Sequence, residues 1–190
     1  MNHIKNVSGQ VTGKTIRVAD MDYAVDYTAH YPSPLGDITL VSDGAALTGL
    51  WFDGQKHFAA PLLEAHGSAG GNLSVFDTAK RWLDLYFCGR EPGFTPPLAL
   101  RGTIFRQRVW RELLSIPYGQ TTTYGHLARR LCCRSAQAIG GAVGHNPIGL
   151  IVPCHRVIGV DGALTGYAAG IGRKARLLQM EGVTIDGQTI

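Results

Sequence analysis

The chain has 190 residues, 45% hydrophobic and 17% charged, a balance that excludes a disordered, collagenous or strongly acidic protein. Its formal charge of +4 divides unevenly: residues 1–100 hold 7 Lys/Arg against 10 Asp/Glu, net −3, and residues 101–190 hold 11 against 4, net +7. That asymmetry points either to an anionic partner for the second half or to a solvated basic face. The four cysteines, Cys88, Cys132, Cys133 and Cys154, contain no C-x-x-C pair and form neither a disulfide framework nor a zinc signal. No apolar run approaches the roughly 18 residues of a membrane helix, and Met1–Lys5 opens no apolar signal core. The expectation is a soluble protein of a reducing compartment, with no membrane partner.

Residues 1–25 are polar and weakly patterned and read as an N-terminal extension. From Val25 the pattern becomes β-like. Apolar runs at Val25–Tyr31, Asp37–Ser42 and Leu47–Phe52 are separated by Ser33-Pro34-Leu35-Gly36, Ser42-Asp43-Gly44 and Asp53-Gly54, the signature of an antiparallel meander. Ser74-x-x-Asp77 predicts a capped helix start. Phe76, Ala79, Trp82, Leu83 and Tyr86–Phe87 follow at helical spacing, with Gly89 as the stop. Pro92, Pro96 and Pro97 mark a linker where the charge changes sign. We therefore divide the chain into 1–25, an α/β domain over 26–97, and a second domain over 98–190. The fold class is α+β: an N-terminal antiparallel meander plus helix, and a mostly helical C-terminal domain.

In the second domain Phe105, Val109, Leu113 and Leu114 predict the apolar face of a helix from Phe105 to Ile116. Pro117-Tyr118-Gly119 breaks it. Thr121–Leu131 reads as a second helix. Ser135–Gly144 reads as a third, with Ser135 its N-cap. Two short helices separated by a brief turn suggest a helix-turn-helix. The small residues of the third helix suit close approach to a ligand or tight packing in the core equally well. His145-Asn146-Pro147 turns the chain, and Ile148–Val152 is expected as a buried strand delivering Pro153-Cys154-His155-Arg156-Val157.

Most cysteines are structural. Cys154 differs in its setting: an apolar run presents it, His155 and Arg156 bring bases and positive charge, and a basic helix-turn-helix precedes it. Neighbouring side chains of an extended segment diverge, so His155 is expected to reach Cys154 through water or a local bend. A nucleophile–base–orienter triad needs a carboxylate. The second half offers Glu112, Asp161, Glu181 and Asp186. Glu181, following Leu177-Leu178 on a helix, is the choice.

The run Ile151-Val-Pro-Cys-His-Arg-Val157 resembles the active-site signature of the O6-alkylguanine–DNA alkyltransferases, the methylated-DNA–protein-cysteine methyltransferase family. So do Gly102-Thr-Ile-Phe-Arg-Gln-Arg-Val-Trp110, Pro117-Tyr-Gly-Gln-Thr-Thr-Thr-Tyr124, Asn146-Pro147, Leu164-Thr-Gly-Tyr167, and Arg173-Lys-Ala-Arg-Leu-Leu178 with Glu181-Gly182. The match runs in order over residues 101–182 and extends weakly to Ser33-Pro-Leu-Gly36. The resemblance implies a ribonuclease-H-like first domain. It implies a second domain that binds double-stranded alkylated DNA through the minor groove and flips the damaged guanine out of the stack. It assigns Cys154 as alkyl acceptor, His155 as base acting through water, Glu181 behind it, and Asn146 as the hinge between recognition helix and cysteine loop. Tyr124 would press the 3′ phosphate and support protonation of the leaving guanine. Arg134, Ser135, Ala136, Gln137 and Arg106 would meet DNA; Arg101, Arg108, Arg129 and Arg130 are further phosphate candidates. Pro153, Val157, Tyr167, Ala168 and Ala169 would line the substrate pocket. The implied reaction is a single-turnover transfer from O6-alkylguanine, with O4-alkylthymine a second candidate substrate. The implied protein is a monomer, open to clustering on DNA, in the cytoplasm of a prokaryotic-type cell or in a nucleus. Some relatives carry zinc ligands in the first domain; no cysteine precedes Cys88 here, so no metal and no cofactor is expected.

Two positions depart from the family pattern. Aligned on Gly140-Gly141-Ala142 and Asn146-Pro147, Gln137 stands where relatives carry an arginine finger. Ala168-Ala169 stands where relatives often carry a glycine, which is expected to disfavour bulky benzyl groups relative to methyl. Two other function classes compete. A non-catalytic, alkyltransferase-like lesion-binding module would lack the acceptor cysteine, which is present. A helix-turn-helix regulator would carry an activator domain, and none is visible.

Overall fold

The computed structural model describes residues 26–57, 68–69 and 72–184; the expected extension over 1–25 lies outside them. Strands β1 (Tyr27–Tyr31), β2 (Ile38–Ser42) and β3 (Leu47–Phe52) form the expected meander. A two-residue β4 (Ser68–Ala69) joins β1 in parallel, giving the order β3-β2-β1-β4. The turn between β1 and β2 closes on Gly36, whose φ of +113° is open to glycine and hostile to side chains. Every residue of β2 and β3 is buried, so the sheet is covered on both faces.

The free edge of β3 does not face solvent along its length. Leu47 donates to Pro97 O and accepts from Ala99 N, both at 2.8 Å, and Leu50 donates to Pro147 O and accepts from Gly149 N, both at 2.9 Å. Two later segments, 97–99 at the end of the first half and 147–149 in the second, thus cap the edge, which satisfies its backbone groups and blocks strand addition.

Helix α1 (Ser74–Phe87) packs on β2 through Val75, Phe76, Ala79, Trp82, Leu83 and Tyr86. Its N-cap is Leu73, not Ser74, and no side chain caps it. Ser74 is already the first helical residue, and its carbonyl accepts from Thr78 Oγ1 at 2.8 Å. Gly89 ends the helix at φ +72°.

Helix α2 (Ile104–Leu113) begins one residue earlier than the pattern suggests, because Thr103 Oγ1 caps Arg106 N. Its buried stripe is Val109, Trp110 and Leu113. Phe105 and Leu114, expected inward, are 36% and 40% exposed. Trp110 takes their place: its ring fills the core and its Nε1 donates to Ala142 O at 2.8 Å. A Cβ on Gly102 would sit 2.6 Å from that ring.

The second predicted helix is shorter than 121–131. Thr122–Thr123 form β5, which pairs in parallel with β6 (Val157–Ile158), and Thr123 Oγ1 caps α3 (Tyr124–Arg130). Helix α4 (Ala136–Gly144) has the predicted cap, Ser135 Oγ accepting from Ala138 N at 3.0 Å. Helices α3 and α4 pack on each other and α4 packs on α2, which is the helix-turn-helix arrangement. Helix α5 (Ile171–Met180) closes the domain. No helix among the described residues is long and apolar enough to cross a membrane.

Ile148–Val152 is not a strand. Ile148 makes one parallel bridge to Leu50, and the chain then turns, with Leu150 at φ +63° and Val152 N bonded to Ile148 O. Apolar residues in a fully buried turn read like a buried strand, since periodicity cannot separate them.

Trp110 carries a testable consequence. Trp110→Phe removes a buried donor, leaves Ala142 O with only the longer bond from His145 N at 3.3 Å, and opens space between α2 and α4. Urea unfolding should show a loss of about 1–3 kcal/mol; an unchanged midpoint would mean that α4 is not held through this bond.

Candidate active site

The turn through Leu150 ends in a single 3-10 turn, Cys154–Arg156. This local bend, rather than an extended segment, orients the three side chains. Cys154 is 7% exposed. Asn146 clasps it: Nδ2 donates to Cys154 Sγ at 3.1 Å and to Val152 O at 2.7 Å, while Oδ1 accepts from Ile148 N at 3.0 Å. Asn146 therefore ties the end of α4 to the cysteine turn. Burial pushes the Cys154 thiol up, opposed by the Asn146 hydrogen bond and the Lys174 charge.

His155 is fully buried. Its Nε2 meets Glu181 Oε1 at 2.6 Å. An ionised carboxylate only accepts, so Nε2 carries the proton and donates. Nδ1 is then the lone-pair nitrogen, and it has no hydrogen-bond partner among the described residues. Burial lowers the His155 pKa, opposed by Glu181, so the ring is neutral. A neutral imidazole with an uncommitted lone pair beside a buried thiol is what a general base requires.

Glu181 caps the C-terminal end of α5 and is buried. Besides His155 it accepts from Tyr86 Oη at 2.7 Å, from Arg156 Nε at 2.8 Å and Nη2 at 3.1 Å, and from Gly119 N at 3.2 Å. Burial works against its charge, yet the hydrogen bonds and charges of His155 and Arg156 hold its pKa at about 2. Sequence reasoning selected Glu181 but placed Arg156 near the sulfur. Arg156 instead grips Glu181 and Ile116 O (2.7 Å) and lies over the Tyr118 ring.

The cation that bears on Cys154 is Lys174, which the sequence did not single out. It is fully buried, and its Nζ donates to Val157 O and, at 2.7 Å, to Thr165 O. Burial lowers its pKa to about 8. Lys174 pins both ends of the 157–165 loop, the second of them at the carbonyl that also accepts from Tyr124 Oη at 3.2 Å. Its sole sequence signal was its place in Arg173-Lys-Ala-Arg-Leu-Leu178. Tyr86 was equally hidden, since its spacing on α1 marked it as core.

A cavity of about 570 Å³ opens above this network, between Lys56 and His57 on one side and Ala136, Gln137, Gly140, Gly141 and Gly144 of α4 on the other. Tyr124 and residues 165–168 complete its wall. At its inner end Gly144, Gly166, Tyr167 and Ala168 are shared with a narrow recess that reaches Asn146 and Cys154. Of the predicted pocket residues, Tyr167 and Ala168 line this space. Pro153, Val157 and Ala169 do not: all three are buried, with Val157 in β6 and Ala169 O accepting from Arg173. Gln137 and Ala136 face the cavity, whereas exposed Ser135 spends its hydroxyl on the cap. Arg134, Arg106, Arg108 and Arg129 have no carboxylate partner among the described residues; Arg101 pairs with Asp26 and Asp43, and Arg130 with Glu112. Among the described residues no group of three or more His, Cys, Asp and Glu side chains could hold a metal ion.

Two family models match this chain. Residues 27–100 match the ribonuclease-like domain of 6-O-methylguanine DNA methyltransferase, and residues 104–183 match the DNA-binding domain of the same family. The Mycobacterium tuberculosis methylated-DNA–protein-cysteine methyltransferase is 45% identical over 78% of this chain and 88% of its own. The chain belongs to the 6-O-methylguanine DNA methyltransferase family. Another methyltransferase of the same name, from Haemophilus influenzae, is 40% identical over 82% of this chain and 86% of its own. The crystal structure of the M. tuberculosis O6-methylguanine methyltransferase superposes with a TM-score of 0.72 at 43% identity, covering 82% of this chain and 92% of that one. The α+β class with a ribonuclease-like first domain is thereby established for the methyltransferase fold seen here.

The buried ionic network makes stability depend on pH. The Glu181 pKa in the fold lies below its ordinary 4.5, so the stability it contributes is complete above 4.5 and drains away as pH falls towards 2. His155, held below its ordinary 6.5, acts in the same direction, because only the unfolded chain takes up that proton as pH falls below 6.5. Urea unfolding should lose stability progressively from pH 6 to pH 3. Glu181→Gln should cost about 3–5 kcal/mol at pH 7, by stranding Arg156, and flatten the acid dependence. Parallel curves for the two proteins would show that Glu181 is not the linked group.

Proposed function

We propose that the protein performs direct-reversal DNA repair, moving a methyl or other alkyl group from O6-alkylguanine in double-stranded DNA onto Cys154 once per molecule. The observation that carries this reading is the chain of contacts from Glu181 to the His155 ring beside a clasped, buried thiol at the end of a cavity walled by the recognition helix. A crystal structure of M. tuberculosis OGT in complex with DNA, 43% identical with a TM-score of 0.71, supports DNA as the partner.

In this mechanism His155 Nδ1 takes the Cys154 proton through a water, and Glu181 stabilises the imidazolium that forms. The thiolate attacks the alkyl carbon, the carbon–O6 bond breaks, and the guanine released takes up a proton. Tyr124 Oη, fixed in the cavity wall against Thr165 O, is placed to support that protonation. A thioether offers water no carbonyl, so Cys154 is not regenerated. The balance closes without metal or organic cofactor. The helix-turn-helix enters the minor groove, with Arg106, Arg108, Arg129 and Arg134 holding phosphates. Flipping is needed because an atom inside the stack cannot be attacked. We further propose two folding units meeting in the Pro92–Pro97 stretch, a monomer that clusters on DNA, and a site of action where cellular DNA lies, cytoplasmic or nuclear.

Incubation with a duplex containing O6-methylguanine should add about 14 Da, one methyl for one hydrogen, to the Cys154 peptide and to no other. Cys154→Ser should abolish it. A missing mass shift with intact lesion binding would favour the binding-module reading instead.

Gln137 faces the cavity but carries no charge to fill the gap left by a flipped base. Gln137→Arg should therefore speed single-turnover transfer from duplex DNA by about tenfold, the worth of roughly one good polar contact. An unchanged rate would remove position 137 from the flipping step.

A further inference from the structure

The second half supplies the recognition helix, but one wall of the cavity comes from the first half. After β3 the chain turns at Asp53-Gly54 and runs as a short arm to His57. The arm is fastened at two points. Lys56 N donates to Ala168 O at 3.0 Å, on the pocket wall. The His57 ring stacks on His145 with centroids 4.2 Å apart and planes 26° from parallel. His145 itself sits just beyond α4, and its Nδ1 meets Gly141 O at 2.7 Å. The arm thus bridges the pocket wall and the recognition helix.

The conformation is an unusual one to maintain. His57 has φ +61°, a region that costs a non-glycine residue about 1–3 kcal/mol and persists where surrounding contacts enforce it. The charge is equally one-sided. Lys56 and His57 line the cavity with no carboxylate among its walls. The charges of His145, Arg106 and Lys56, after burial, all lower the His57 pKa. The nearest acid in sequence, Asp53, is turned away, its Oδ1 accepting from Thr39 Oγ1 at 2.7 Å. Lys56 on the cavity wall, with Arg106 near enough to bear on His57 and no carboxylate in the lining, is a cation without an internal counter-ion and calls for an external anion.

We propose that Lys56 is a DNA-contacting residue that grips a backbone phosphate of the strand carrying the flipped nucleotide, and that the His57–His145 stack is the pin that holds it against the recognition helix. The site rests on the DNA-repair reading above. It assigns the first half a direct role in holding DNA, opposite the face of α4 that presents Gln137. A point charge on a flexible stem can serve this contact, because Lys binds phosphate through charge without needing a fixed geometry. The contact is sequence-independent, so it adds affinity for any duplex and restores attraction at a cavity whose finger position is neutral.

The test measures binding of the full chain to an undamaged duplex by fluorescence anisotropy over a series of salt concentrations. Lys56→Ala should weaken binding about three- to tenfold at low salt and reduce the slope of log K against log salt by about one, the signature of one lost phosphate contact. Lys56→Glu should weaken it further, and Lys56→Arg should keep the wild-type slope. A structural role for Lys56 would not move the slope. Unchanged affinity and slope in Lys56→Ala and Lys56→Glu, with the wild-type chain binding duplex and taking up the methyl group at Cys154, would overturn the arm alone. Failure of the wild-type chain to bind duplex DNA or to take up the methyl group would instead overturn the repair reading.

Discussion

The site depends on one buried carboxylate. Glu181 leaves water at the end of α5, and an isolated charge in that position would cost several kcal/mol. It is kept ionised by four donors from three separate segments: Tyr86 of α1, Gly119 of the turn after α2, and His155 and Arg156 of the 3-10 turn. Each donor fixes its own segment in return. Gly119 shows how tight the arrangement is, because a Cβ there would lie 2.9 Å from Glu181 O. The same carboxylate sets the His155 tautomer, and the tautomer leaves Nδ1 as the basic nitrogen. Folding and reactivity therefore meet in one group. Burial raises the Cys154 pKa, so in the proposed transfer its proton goes to a base that Glu181 positions.

Local chemistry was legible in the sequence wherever a residue acts on its own neighbours. Ser135 caps α4, Gly89 stops α1, and Leu47–Phe52 is β3 with the predicted bounds. Glu181 was reachable because only four carboxylates compete in the second half. What escaped depends on partners far apart in the chain. Tyr86 looks like core on α1, and only the fold brings its hydroxyl to a carboxylate 95 positions away. Lys174 sits in a basic run that reads as solvated surface, yet it is fully buried against two carbonyls. Arg156 stands two residues from Cys154 in sequence, but the 3-10 turn sends it to Glu181. Ile148–Val152 is apolar because it is buried, and burial alone cannot distinguish a strand from a turn held by Leu150.

The charge of the second half divides by role. Arg156 and Lys174 are internal and stabilise the site. Arg101 and Arg130 pair with carboxylates at the surface, where such pairs contribute little. Arg106, Arg108, Arg129 and Arg134 have no carboxylate partners among the described residues; Arg106 and Arg108 lie on α2, Arg129 and Arg134 in the helix-turn-helix. The excess of +7 is thus neither a uniform basic face nor wholly available to an anion. The part that is available lies on α2 and in the helix-turn-helix.

The first half is more than a support. Its Tyr86 completes the Glu181 shell, its Leu50 holds Pro147 and Gly149 on either side of Ile148, whose N–H donates to Asn146 Oδ1, and its Lys56 N donates to Ala168 O on the cavity wall. These are three different strata of one site: the charge network, the hinge and the cavity wall. Residues 104–183 alone would leave Glu181 short of a donor, and the backbone groups of Pro147 and Gly149 short of their partners on β3. Both losses bear on the placement of Cys154. A ribonuclease-like domain with no nuclease chemistry assigned to it thus has a physical reason to be in the chain, because the geometry around the thiol is closed from its side.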